Sequence, residues 1–146
     1  MRYLLDTNIV LRSLQKAAPE HQMAIDAIAR LVGRGEILHI STQVCIEFWV
    51  VATRPIMING LGWDSAHTES ELNLLLNRFA LLEDRPTVFT HWRQLVTTHA
   101  IKGKKAHDAR LVAVMQAHNI THLLTLNTDD FRAYPNIILL HPDDIS

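Results

Sequence analysis

A chain of 146 residues with 48% hydrophobic and 20% charged side chains fits one globular domain that buries a core without disulfides or structural zinc. Its 14 Lys and Arg against 15 Asp and Glu leave a formal net charge of −1, so no global basic field announces nucleic-acid binding, and any such binding must come from a local patch. The single cysteine, Cys45, excludes an internal disulfide and a cysteine-based zinc site and suits a reducing cytosol. No apolar run approaches the roughly 18 residues of a membrane span. With a strand starting almost at Met1, no signal peptide is expected, and a cytoplasmic location follows.

In chain order, Arg2 to Leu5 reads as a short buried strand and Thr7 to Leu14 as a short helix. Pro19 starts a longer helix, in which Ala24, Ala27, Ile28 and Leu31 keep helical spacing and Gly33 and Gly35 end it. Glu36 to Ile40 is a second strand. Thr42 is expected to cap the helix carrying Glu47, with Pro55 limiting its end. Asn59 to Gly62 is turn-like. Asp64 or Ser65 caps a helix through Leu72, Leu75, Leu76 and Phe79. Either Ala80 to Leu82 or Thr87 to Phe89 supplies a short strand. His91 to Ala100 reads as helix, Lys102 to Lys105 as a basic loop and Asp108 to His118 as helix. His122 to Leu126 and Ile137 to Leu140 are strands. Alternating strands and helices imply a mainly parallel sheet of four to five strands with helices on both faces, forming one domain over residues 1–146.

Three acids interrupt apolar structure. Asp6 ends Tyr3-Leu4-Leu5. Glu47 is the one charge within Val44 to Ala52. Asp108 opens the helix of Ala109, Leu111, Val112 and Ala113. An unpaired carboxylate in an apolar medium is costly, and a divalent cation shared by the three removes that cost. Their oxygens are then expected within about 5 Å of a common point. Each also has a plainer explanation. Asp6 can be a helix cap, Glu47 the partner of a buried Arg or Lys, and Asp108 a favourable charge at a helix N-terminus. Asn127, Asp129 and Asp130 can form a simple polar turn. In open α/β sheets, however, ligands bind beyond the carboxyl ends of the strands, where Asp6 and Asn127 both lie.

No paired-histidine zinc motif, phosphate-binding Gly-rich loop or dinucleotide fingerprint is present. Lys102, Lys104 and Lys105 form the one short basic cluster, placed where it can hold a polyanion near Asp108.

Together, Leu4-Leu5-Asp6-Thr7-Asn8, the Glu47 helix after Ser41-Thr42, His107-Asp108-Ala109-Arg110-Leu111 and Leu124-Thr125-Leu126-Asn127-Thr128-Asp129-Asp130-Phe131 resemble PIN-domain ribonucleases. Among these the chain is similar to VapC-like toxins of type II toxin–antitoxin pairs. The resemblance covers nearly the whole chain. It implies a three-layer α/β/α sandwich and a Mg²⁺- or Mn²⁺-dependent endoribonuclease. It also implies an RNA substrate, a homodimer and a VapB-like antitoxin. Asp6, Glu47, Asp108 and Asp130 then carry catalysis, and the same four with Asn127 hold metal. Thr7 and Thr125 orient the ligands, and Lys104, Lys105 and Arg110 place RNA. Asn127 stands where many PIN domains have an acid, so it brings a carbonyl ligand without charge. Two alternatives stay open: an inactive RNA-binding module of the same fold, and a small-molecule metal-dependent phosphatase or phosphodiesterase.

Overall fold

The computed structural model describes residues 1–146. Five short strands form one all-parallel sheet: β1 (Arg2–Leu5), β2 (Ile37–Ser41), β3 (Ala80–Leu82), β4 (His122–Leu124) and β5 (Ile138–Leu140), in the spatial order β3-β2-β1-β4-β5. The helices are α1 (Thr7–Leu14), α2 (His21–Gly33), α3 (Thr42–Thr53), α4 (Ser65–Arg78), α5 (Thr87–Thr98) and α6 (Lys105–Ala117). Single 3₁₀ turns occupy Ile56–Ile58, Thr128–Phe131 and Pro142–Asp144. Right-handed crossovers from β1 to β2 and from β2 to β3 step in one direction and place α1 to α4 on one face. The return from β3 to β4 runs the opposite way and places α5 and α6 on the other. This is the expected three-layer α/β/α sandwich.

Both faces of the sheet are covered, so the central strands read as continuous apolar runs rather than alternating ones. Leu4, Leu5, Leu123 and Leu124 are fully buried, and each such side chain contributes about 1.5–3 kcal/mol. The register sets Leu5 opposite Leu124, so β1 and β4 end side by side. The Asp6 N–H donates to the Leu124 carbonyl at 3.0 Å and carries this pairing one residue further. The chain steps outward from β1 to β2 and β3, then crosses back to β4 and β5. The carboxyl ends of β1 and β4 therefore flank the topological switch point, the crevice that open α/β sheets use for ligands.

Local readings differ from the structure in several places, among them the start of α6, which is Lys105 rather than Asp108. Ser41, not Thr42, caps α3, its hydroxyl accepting the Val44 N–H at 3.1 Å. β3 is Ala80–Leu82, whereas residues 87–89 open α5 because Pro86, at φ −54°, is preset for a helix start. Helix α2 begins at His21 rather than Pro19. Strand β4 stops at Leu124, although the Thr125 N–H still bonds the Leu140 carbonyl at 3.0 Å.

Candidate functional site

Asp6 leaves β1 at its carboxyl end and caps α1, so its capping geometry and its exposure to the crevice coincide. Its Oδ1 accepts the Thr7 N–H at 2.8 Å. Its Oδ2 accepts the Thr125 hydroxyl at 2.8 Å and Asn8 Nδ2 at 3.3 Å. Thr125, fully buried, also accepts the Asn127 N–H at 3.0 Å. The Thr7 and Thr125 hydroxyls thus each donate to an acid, Glu47 and Asp6 in turn. Asn8, which the sequence reading left without a role, ties the strand ends together. Its Nδ2 also reaches Thr125 Oγ1 at 3.3 Å, and its Oδ1 accepts the Leu126 N–H at 3.2 Å.

An Arg or Lys is the ordinary partner for a carboxylate in an apolar helix, and Glu47 has none. Its Oε2 accepts the Thr7 hydroxyl at 2.6 Å, and its Oε1 accepts Gln43 Nε2 at 3.0 Å. Both donors are neutral, so they fix the carboxylate without cancelling its charge. Gln43, one turn earlier on α3, also donates to the His107 carbonyl at 2.9 Å. A single buried amide therefore ties Glu47 to the N-terminal end of α6, one residue before Asp108. The i, i+4 spacing of Gln43 and Glu47 was a readable signal for this contact.

Arg110 takes part in this network rather than standing free for phosphate. Its Nη1 donates to Gln43 Oε1 at 3.0 Å, and its Nη2 pairs with Asp84 at 3.1 Å. Lys104 and Lys105 are exposed at the start of α6.

Asp108 sits in the first turn of α6, partly exposed, and Asp130 is exposed in the turn Thr128–Phe131. Burial raises the Asp6 carboxyl to about 6 against the opposing pull of Thr125 and Thr7, with Glu47 and Asp130 adding to the rise. Asp108 is raised to about 6 as well, by desolvation first and then by Asp130, Asp6 and Glu47. Four acids from four segments thus feel one another across the switch point, and no Lys, Arg or His forms an ion pair with any of them. Convergence is looser than the sequence reading expected, because no three of them close into a ready-made cation cage. Thr7, Thr125 and Gln43 set the orientations of Asp6 and Glu47. Asn127 is exposed, and its backbone carbonyl accepts the Asp130 N–H at 3.1 Å. Tyr134, unnoticed in the sequence, also lies near. Burial and then the Asp108 charge push its phenol up.

This is a parallel α/β fold whose switch point is flanked by carboxyl groups without a basic partner, the donor type that a hard divalent cation takes. The chain belongs to the PIN domain family, whose sequence pattern matches residues 3–137. It is 27% identical over 128 residues to Ribonuclease VapC24 of Mycobacterium tuberculosis, covering 87% of each chain. Its fold is similar to the VapBC-1 structure of nontypeable Haemophilus influenzae, with a TM-score of 0.73, 18% identity and coverage of 98% and 99% of the two chains. It is also similar to VapBC2 of Rickettsia felis, solved with a DNA fragment from their promoter, with a TM-score of 0.71, 22% identity and coverage of 97% and 98%. A third similar structure is Mycobacterium tuberculosis VapC20, a sarcin-ricin loop cleaving toxin, with a TM-score of 0.62 and 15% identity over 90% of this chain and 95% of that one.

Proposed function

We propose that this protein is a divalent-metal-dependent endoribonuclease, the toxin of a toxin–antitoxin pair, built as one domain over residues 1–146. The observation that carries this reading is four acids without a basic partner at the switch point of a PIN-family fold. Asp6, Glu47, Asp108 and Asp130 would hold the cation with the Asn127 carbonyl, and Mg²⁺ suits them because it favours a few carboxylates alongside waters and phosphate. Mn²⁺ is the expected substitute. When bound, the cation supplies a polarised water and neutralises charge developing on the phosphate.

The protein's own part is orientation. Thr7 spans Asp6 and Glu47, with its N–H on one and its hydroxyl on the other. Thr125 and Asn8 lock Asp6. Gln43 fixes the spacing between Glu47 and the Asp108 turn. Lys104 and Lys105 place the phosphate backbone, and Arg110 acts through Gln43.

Partners follow from the same reading. Ile46 and Val50 on α3, Met57 in the following turn and Leu74 on α4 are 64%, 52%, 96% and 53% exposed. Such an apolar surface suits a two-fold homodimer. A VapB-like antitoxin would cover the acidic site with a basic side chain. No helix is long and apolar enough to cross a membrane, and a toxin acting on cellular RNA belongs in the cytoplasm.

The test is cleavage of total RNA with Mg²⁺ or Mn²⁺ and with EDTA. Attack by water predicts 5′-phosphate and 3′-hydroxyl ends. Cutting that survives EDTA, or 2′,3′-cyclic phosphate ends, would overturn the mechanism. Binding of RNA without cutting under any divalent ion would favour the inactive-module alternative.

A further inference from the structure

We propose that a cavity between the start of α5 and Arg110 is a subsite that stacks one unpaired nucleobase of the strand held at the acids. This rests on the nuclease reading and adds to it the place where a base is gripped. The cavity measures about 520 Å³, within the roughly 300–1,000 Å³ of small-ligand sites. Phe89 stands at its edge, 64% exposed. The Trp92 ring lies 5.8 Å away with a 32° tilt. The Trp92 Nε1–H donates to the Ala106 carbonyl at 2.8 Å, which fixes the indole beside the turn bearing Asp108. Arg110 forms another wall and reaches Glu47 through Gln43. The cavity and the acids are therefore joined by two side chains.

Charge selects the occupant. At the mouth, Asp84 and Arg110 pair with each other at 3.1 Å and Arg85 donates to the Ala117 carbonyl at 2.9 Å, which leaves each group further acceptor or donor positions for a base edge. Arg93 flanks Phe89 on the outer side, and Lys102, Lys104 and Lys105 line the connection from α5 to α6. These four cations are exposed and have no carboxylate partner. The core of a protein–protein interface is depleted in charge. An aromatic face inside a basic rim is instead the arrangement that binds single-stranded nucleic acid.

The experiment uses single-stranded 12-nucleotide RNAs with one 2-aminopurine at successive positions, mixed with the full-length protein in EDTA. Stacking quenches this base, so one position should lose fluorescence on binding. Phe89→Ala should remove that quench and weaken binding roughly 5- to 150-fold. Phe89→Tyr should restore both, and a blunt RNA duplex should show neither effect. Circular dichroism checks the fold of each variant. A quench that persists in Phe89→Ala, or equal affinities for wild type and variant, would overturn the subsite. So would intact RNA binding combined with lost capture of a co-expressed antitoxin, since the cavity would then be a protein-docking surface. The two readings fail separately. Unchanged binding by Phe89→Ala with cleavage that still needs Asp108 removes only the subsite. A Phe89-dependent quench in a protein that never cuts RNA removes only the nuclease.

Discussion

Replacing Asp108 with Asn should make the metal-free protein more stable while destroying its activity. The Asp108 carboxyl is raised from 3.8 to about 6, chiefly by desolvation and then by Asp130, Asp6 and Glu47. Two pKa units correspond to about 3 kcal/mol in a dry site. Asp108 is partly exposed, so solvent screening reduces the expected gain to about 1 kcal/mol. The sign follows from linkage. A folded-state pKa above the unfolded value means that the native state binds the proton more tightly. That contribution is complete below pH 3.8 and is lost as pH rises through about 6. Wild type should therefore lose stability across this window, and Asp108→Asn should not share that part of the loss. Urea unfolding in EDTA across the window measures it, and a gain of about 1 kcal/mol appears as a midpoint about 2–4 °C higher in thermal unfolding at neutral pH. A variant less stable than wild type at neutral pH, or with an unchanged pH slope, would refute the repulsive, desolvated acid cluster.

Three further outcomes follow from the same geometry. Mg²⁺ should raise the thermal midpoint of wild type at neutral pH by binding only the folded state, and the shift should shrink in Asp6→Asn or Asp108→Asn; a thermal scan against ion concentration reads it. Gln43→Ala removes the donor to Glu47 and the acceptor for Arg110, so it should cost about 1–3 kcal/mol in unfolding experiments and lower kcat more than it raises KM. Lys104→Ala with Lys105→Ala should weaken RNA binding and reduce the slope of log affinity against log salt by about 1.4 for two lost single-strand phosphate contacts, as measured by titration at several ionic strengths.

The residues themselves determined a good deal. Helix α1 falls where its apolar spacing and the Asp6 cap put it. The unbroken apolar runs at Leu4-Leu5 and Leu123-Leu124 announced strands covered on both faces. These are local properties, because hydrophobic periodicity and capping operate within a few residues. Asp6, Glu47 and Asp108 were conspicuous for the same reason: each is a charge in an apolar segment. Boundaries were less legible where short-range signals competed. Ser41 and Thr42 are both good caps, and only the turn of β2 into α3 chose Ser41.

Partnership was left to the tertiary structure. Nothing in the sequence specified the order β3-β2-β1-β4-β5, which sets β1 beside β4 and brings Thr125 to Asp6 across 119 positions. Whether Glu47 met a base or neutral donors depended on α1 and α3 packing together, and they supply Thr7 and Gln43. Arg110 read as a free cation until the segment after β3 brought Asp84 to it. The cavity of Phe89 and Trp92 exists only because α5 lies across α6. A side chain's type is fixed by its codon and its helical or strand setting by near neighbours, but its charge environment is set by segments tens of residues away. That environment decides whether a carboxylate is a cap, half of an ion pair or a ligand.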